Sequence, residues 1–317
     1  MSGALILTIT GWDTTAWDER FRLRAPRRDV RLWPQRIGNP AEITYACAWK
    51  PPHGLLATFP NLKAVFSLGA GVDFLMTDPA LPQVPVVRIV DPDLTLRMSE
   101  YVALHVLMFH RRQRLYDAQQ RERLWRDHDD QPAASEVAVG VMGLGVMGRD
   151  AVDVLRRLGF KVFGWSRTAK SIPGVATFHG AVGLEEFLAR SEILVCLLPA
   201  TPATTGILNR DLFRKLKRDG ALGGAYLINA GRGALQVDPD ILAALDDGSL
   251  AAATLDVFPT EPLPKESPLW SHPRVTITPH NAASSMPNAL VDYVLNQIER
   301  FERGEPLQNV VDRAAGY

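Results

Sequence analysis

Apolar residues follow two alternating rhythms along this chain. Uninterrupted runs occupy 5–10, 44–49, 64–68 and 84–90, each followed by a turn or a helical stretch. That alternation predicts a small parallel α/β domain in the first third. A long helix is expected from near Met98, carrying Tyr101, Leu104, His105, Met108 and Phe109 on a largely apolar face. It turns polar at 111–117 and runs into a charged stretch at 121–130. That stretch is too polar for a core, so it reads as an exposed arm or part of a subunit contact. Gln131-Pro132-Ala133-Ala134-Ser135 reads as a linker.

Beyond the linker, strands are expected at 137–142, 161–165, 192–198, 221–229, 251–257 and 275–278, with helices between them, one at 240–245 after Pro239. The last helix is expected to be capped by Ser285, with Pro287 in its first turn. It carries Leu290, Tyr293, Val294, Ile298 and Phe301, and Gly304 ends it. Its return to the first domain would make that domain discontinuous. The expected division is 1–104 with 285–317 as the smaller domain and 105–284 as the larger, an α/β doubly wound parallel sheet.

Where the strand at 137–142 ends, the chain reads Gly143-Leu144-Gly145-Val146-Met147-Gly148, then a helix with Ala151, Val152, Leu155 and Leu158 at helical spacing and Gly159 as its stop. Strand, GxGxxG turn and helix in that order read as a dinucleotide site. Gly143 permits the tight turn, Gly145 lets the backbone approach a pyrophosphate, and Gly148 lets helix and strand pack closely. The helix N-terminus offers free N–H groups and partial positive charge to the phosphate. About 20 residues further on, a carboxylate would bind the ribose 2′-hydroxyl. Here stand Ser166-Arg167-Thr168-Ala169-Lys170 instead. With no carboxylate to repel a 2′-phosphate and two cations to pair with it, the expected cofactor is NADP(H) rather than NAD(H). The plainer alternative is that Arg167 is a solvated loop charge.

In an open parallel sheet, ligands bind beyond the carboxyl ends of the strands. Leu198-Pro199 and Ala230 fall at such ends and are expected against the cofactor, and Asp256 falls at another. Arg232, Glu261 and His280 each fall just past a strand as well. Singly, each reads as an ordinary loop or capping residue. Together they suit reduction of a 2-oxo acid. Arg232 holds the carboxylate and polarises the carbonyl, a protonated His280 is the general acid, and Glu261 orients the imidazole.

With 317 residues and 46% hydrophobic content, the chain can build two real cores. Lys+Arg 35 against Asp+Glu 35 gives no net charge, which argues against nucleic-acid and membrane partners. Cys47 and Cys196 lie in apolar runs and read as buried, reduced thiols of a cytoplasmic protein. Residues 4–10 lack a basic lead-in and are too short to span a bilayer, so they read as a first strand.

The glycine motif, Asn229-Ala230-Gly231-Arg232-Gly233, the 256–262 loop, Ser267-Pro268-Leu269-Trp270 and Thr278-Pro279-His280 together resemble the D-2-hydroxyacid dehydrogenase family across essentially the whole chain. Trp165-Ser166-Arg167, the 263–270 segment and the ending 311–317 resemble its glyoxylate/hydroxypyruvate reductase branch. The resemblance implies a Rossmann dinucleotide-binding domain plus a smaller flavodoxin-like substrate domain. It implies Arg232 and His280 as catalytic residues, Glu261 as partner of His280, and Asp256 near the nicotinamide carboxamide. It further implies that Ala70 and Gly71 amides grip the substrate carboxylate, that Trp49 walls the pocket, and that the protein is a homodimer through the nucleotide domain and the arm at 111–130. One departure is Ala230-Gly231 before Arg232, where Leu-Ala is common in the family. Two other readings share these features. One is a dehydrogenase for a bulkier 2-oxo acid, with Trp49 and Trp270 shaping a roomier pocket. The other is a non-catalytic dinucleotide sensor of the same fold, which could lose the trio that this chain retains.

Overall fold

The computed structural model describes residues 3–317. In chain order the elements are β1 (Ala4–Ile9), α1 (Thr15–Arg24), β2 (Val30–Leu32), β3 (Ile43–Trp49), β4 (Ala64–Ser67), α2 (Asp73–Met76), β5 (Val86–Val87), α3 (Pro92–His110) and α4 (Gln113–Arg121). Then follow β6 (Ala138–Met142), α5 (Val146–Arg157), β7 (Lys161–Ser166), β8 (Ala176–His179), α6 (Gly180–Arg190), β9 (Ile193–Cys196) and α7 (Arg210–Arg214). Last come β10 (Tyr226–Asn229), α8 (Asp238–Asp246), β11 (Ala252–Leu255), β12 (Val275–Ile277) and α9 (Pro287–Glu302). They form two compact units. One holds the chain up to Leu94 together with Ser284–Tyr317, and the other is Thr95–Ala283.

The first unit is built on a five-stranded sheet in the order β2-β1-β3-β4-β5, every neighbouring pair parallel. That is the flavodoxin-like order. All of β1 and β4 is buried, which is why both read as continuous apolar runs with no alternation. Helix α9 lies beside α1, where Arg24 meets Asp292 at 2.6 Å and Arg28 meets Glu302 at 2.8 Å. Partly exposed pairs of this kind set register more than they add stability. After α9 the chain returns to the sheet, and Val311 N–H donates to the Val86 carbonyl at 2.8 Å.

Some expectations need correction here. The strand expected at 84–90 shrinks to Val86–Val87, because Pro85 cannot donate to a ladder and the chain turns away into α3. The three residues of β2 are too few to show a period and went unread. Ser285 does not cap the last helix. Met286 holds that position without a side-chain bond, and Pro287 begins the helix.

The second unit carries seven parallel strands in the order β12-β11-β10-β9-β6-β7-β8. From β6 outward this is the doubly wound nucleotide-binding order, extended by β12. Phe187, Phe213, Leu227 and Leu245 belong to one apolar cluster of this unit, and Val102, Val106, Val139 and Leu155 to another. The edge strand β8 was missed because its four residues are only partly buried and show no apolar run. The strand expected at 221–229 begins only at Tyr226, since Gly223 turns the chain with φ +65°.

Helix α3 starts earlier than Met98, at Pro92. It buries Tyr101, Val102, His105, Val106 and Phe109, but Leu104 points to solvent at 54% exposure. Among the described residues, no helix is long and apolar enough to cross a membrane, and no cluster of His, Cys, Asp or Glu could hold a metal. Both cysteines are buried and free, and burial pushes the Cys196 thiol up to about 12.

His105 sits 4% exposed with its ring 4.2 Å from that of Tyr101. Burial pulls its pKa from 6.5 down to about 4, against a smaller upward pull from Asp256. The unfolded chain therefore binds this proton at a higher pH than the folded one. The associated stability is complete above pH 6.5 and lost as the pH falls toward 4. The loss is on the order of 2–3 kcal/mol. Denaturant midpoints measured across that range should fall with acid in the parent protein and fall less in His105→Phe.

Candidate active site

In the second unit the strand ends align. Trp165, Met142, Cys196, Asn229, Leu255 and Ile277 are neighbours in register across β7, β6, β9, β10, β11 and β12. The next residue on each strand therefore lies along a single edge of the sheet, and the candidate chemistry of this unit begins there.

At the end of β6 the three glycines are distinct. Gly143 has φ +108°, a conformation that a side chain would strain, and its N–H donates to the Trp165 carbonyl at 2.8 Å. A Cβ on Gly148 would stand 1.8 Å from the Gly143 carbonyl oxygen, so only glycine lets α5 come this near the turn. A Cβ on Gly145 would meet nothing within 4 Å. The space beside Gly145 is open, Gly145 and Val146 are exposed, and no side chain caps α5. The N–H groups of that first turn have no partners within the helix. Leu144 is buried, with its methyl groups where a Cβ of Gly164 would be. Met147 is half-buried and packs on the core. Ser99 on α3 bonds Asp150 on α5 at 2.5 Å and ties the helix down, a link that no local pattern announced.

At the end of β7, Ser166 is buried and its hydroxyl donates to the Thr168 carbonyl at 2.8 Å, folding the loop that carries Arg167 and Lys170 into solvent. No carboxylate occurs in 166–170. An open glycine turn at a helix N-terminus, followed by a cationic loop, fits a phosphorylated dinucleotide. Leu198 is buried and Pro199 half-buried beyond β9, where the Pro199 carbonyl accepts from Thr204 Oγ1 at 2.7 Å.

Beyond β10, Asn229 governs the turn. Fully buried, it accepts from Gly231 N–H at 3.1 Å and donates to the Arg232 carbonyl at 3.2 Å and to Gln236 Oε1 at 2.8 Å. Ala230 is buried within this turn. Arg232 is half-buried, and its Nη1 donates to the Gly231 carbonyl at 2.7 Å. Gly233 lies against the backbone of Phe258 and Pro259, where a Cβ would come within 2.0 Å. That contact brings the arginine loop against the loop that carries Glu261.

Glu261 bridges two groups. Its Oε1 accepts from Phe258 N–H at 3.1 Å, and its Oε2 stands 2.8 Å from His280 Nδ1. The imidazole remains 34% exposed. His280 takes φ +52°, unusual for a residue with a side chain. Its N–H donates to the Asp256 carbonyl at 2.8 Å. The Asp256 side chain, 1% exposed, accepts from Thr278 Oγ1 at 2.6 Å, from Asn281 N–H at 2.9 Å and from Ala282 N–H at 3.1 Å. This carboxylate braces the turn that presents the histidine. Sequence reasoning found Asp256 but not this work, and it missed Asn229 and Thr278 as braces.

In the first unit, Trp49 ends β3 half-buried, stacked on Trp12 at 4.2 Å and edge-on to Phe74 at 5.3 Å. Its ring occupies the place of a Cβ at Gly69. Ser67 Oγ, fully buried, lies 2.8 Å from the Gly69 carbonyl and 3.1 Å from that of Gly71, fixing the loop that exposes Ala70 and Gly71 in part. Neither Trp12 nor Ser67 was flagged in the sequence.

A sequence model described as D-isomer specific 2-hydroxyacid dehydrogenase, NAD binding domain, matches residues 103–282. The chain belongs to the D-isomer specific 2-hydroxyacid dehydrogenase family. Within the family it is similar to glyoxylate/hydroxypyruvate reductase A of Yersinia enterocolitica, 41% identical over 317 residues that cover 96% of this chain and 97% of that protein. A probable 2-hydroxyacid dehydrogenase from Rhizobium etli, solved with NADP, HEPES and L(+)-tartaric acid, is 49% identical and covers 99% of both chains with a TM-score of 0.93. The NADPH-dependent glyoxylate/hydroxypyruvate reductase of Sinorhizobium meliloti, solved with NADP and sulfate, is 47% identical with a TM-score of 0.95 and covers 99% of this chain and 100% of that one. The motif resemblance and the α/β fold class are borne out.

The glycines make opposite predictions. Gly148→Ala should lower stability by roughly 2–4 kcal/mol, since backbone must move to admit the methyl group. Gly145→Ala should leave the melting temperature nearly unchanged. Thermal denaturation of the two variants checks both.

Proposed function

We propose that this dehydrogenase reduces a small 2-oxo acid, glyoxylate or hydroxypyruvate, to the 2-hydroxy acid with NADPH. The observation that carries the reading is the 2.8 Å contact between His280 Nδ1 and Glu261 Oε2 on the sheet edge that also bears the open glycine turn. Relatives named glyoxylate/hydroxypyruvate reductase, at 41% and 47% identity over nearly whole chains, support the substrate class, and a 49% identical 2-hydroxyacid dehydrogenase solved with NADP supports the cofactor.

Residues 143–148 would hold NADPH, with Arg167 and Lys170 toward its 2′-phosphate and Ser166, Leu198, Pro199, Ala230 and Asp256 around it, and the bound cofactor would supply the hydride. The protein residues do the rest. Arg232 pairs with the substrate carboxylate and draws charge onto the carbonyl oxygen. Glu261 accepts from Nδ1–H of His280, which fixes the ring, and Nε2–H gives its proton to the carbonyl oxygen as negative charge develops there. Within the first unit, the partly exposed Ala70 and Gly71 amides are suited to an anion, and Trp49 offers an apolar surface beside their loop. The free, buried cysteines agree with a cytoplasmic enzyme.

Oxidation of NADPH against a panel of small and bulky 2-oxo acids, repeated with NADH, tests the reading. Turnover with glyoxylate and hydroxypyruvate should exceed that with bulkier acids, and NADPH should be preferred. His280→Ala should lose roughly 10²–10⁴-fold in kcat. Arg167→Ala should weaken NADPH by roughly ten- to a hundredfold and NADH little. A silent panel, or a His280→Ala enzyme of full turnover, removes the assignment.

The protein is further proposed to be a homodimer through the arm after α3. Trp125 there is fully exposed at 100% and Leu124 at 47%, surface that a second copy would cover. Arg112 and Asp130, 2.6 Å apart, close the base of the arm. Sedimentation should give a dimer for the parent and a monomer, or a weaker dimer, for Trp125→Glu.

A further inference from the structure

The hydrogen bonds that hold His280 do not end at Asp256. Thr278 Oγ1 lies 2.6 Å from Asp256 Oδ1 and 2.8 Å from the phenol oxygen of Tyr101 on α3. A hydroxyl has a single proton, and that of Thr278 goes to Asp256 Oδ1. Thr278 therefore donates to Asp256 and accepts from Tyr101, and the direction of the chain is settled: Tyr101 to Thr278 to Asp256. The end of that chain is the turn itself. The Asp256 carboxylate takes the Asn281 and Ala282 amides, and its backbone carbonyl takes the His280 amide. Those bonds bracket a residue held at φ +52°, which a side chain ordinarily avoids.

We propose that Tyr101 is a positioning residue for His280, acting through Thr278 and Asp256. The inference rests on the reading of His280 as proton donor. Tyr101 touches no reacting group. It contributes the second bond of the Thr278 hydroxyl, so that this hydroxyl points its proton at Asp256 rather than rotating away. The ring is well placed for the task. It is 8% exposed and packed against His105 at 4.2 Å, on a helix that α5 anchors through Ser99 and Asp150. Burial also raises the phenol above its ordinary pKa, so it stays a donor across any assay range. Its hydroxyl is given to Thr278, the side chain that in turn bonds Asp256.

Tyr101→Phe keeps the ring and removes the bond. In the full chain, kcat for the preferred 2-oxo acid should fall roughly three- to tenfold, the scale of one neutral hydrogen bond, with the KM for NADPH nearly unchanged. In the enzyme without added cofactor, the amides of His280, Asn281 and Ala282 should exchange faster by a similar factor while those of β6 do not change. Thr278→Val, which also removes the bond to Asp256, should lose at least as much, and adding Tyr101→Phe to it should cost nothing further. Unchanged kcat and exchange in Tyr101→Phe, or losses in the two variants that multiply, would overturn the proposal. Should Tyr101→Phe fail to fold, Thr278→Ser against Thr278→Val reads the hydroxyl through which Tyr101 must act: a competent serine variant beside an impaired valine variant supports the chain, and equal behaviour sinks it. If the parent reduces no 2-oxo acid, the proposed function fails, while amide exchange at 280–282 still decides whether Tyr101 steadies the turn.

Discussion

Parallel pairing is the constraint from which the rest follows. When every strand of a sheet points the same way, all carboxyl ends meet one edge, and whatever the chain places after each strand is gathered there. In the second unit the strand ends stand in register from Trp165 across to Ile277. Residues far apart in sequence, the glycine turn after Met142 and the histidine turn after Ile277 among them, thereby share an edge. A parallel sheet also buries both faces of its inner strands, so those strands are mainly apolar and polar residues gather at the ends.

At those ends the backbone leaves the ladder with unpaired N–H and carbonyl groups. Buried side chains satisfy them: Asn229 for the arginine turn, Asp256 for the histidine turn, Ser67 for the glycine loop of the first unit. Each is fully or almost fully buried and each makes two or more bonds. A buried polar group left unpaired would cost about 1–3 kcal/mol, so these residues are held in place by the loops they hold. The opposite edge uses the same device for a different end. Glu192, with no exposure, takes the Ala138 amide at 2.9 Å and the Leu222 amide at 3.0 Å, which joins β6 to the segment before β10 and presents nothing outward.

The backbone carries the remaining strain near the candidate chemistry. Gly143 and His280 both have positive φ, the first at no cost to a glycine and the second only because Asp256 pins the residues around it. Gly148 and Gly233 have ordinary φ and are glycine for another reason, since a neighbouring backbone occupies the space of their side chains. Gly145 is glycine for neither reason, and the open space beside it is what a phosphate would use.

Local chemistry by itself determined a great deal of this protein. Apolar runs alternating with helical periods specified α/β units with parallel sheets. The glycine spacing marked a candidate nucleotide turn, and the missing carboxylate after Trp165 pointed to a phosphorylated cofactor. Arg232, Glu261 and His280 were visible because each follows a strand end, a position that one-dimensional pattern can mark. Short or edge elements such as Val30–Leu32 and Ala176–His179 were not, because period needs length and half-solvated strands carry no apolar run. Only the tertiary structure decided which polar side chains turn inward. Asn229, Ser67, Thr278 and Tyr101 look like any others in sequence, and they acquire their roles from partners that sheet register and helix packing bring to them across as many as 177 residues. A hydrogen bond reports the meeting of two places, and a linear pattern records only one of them.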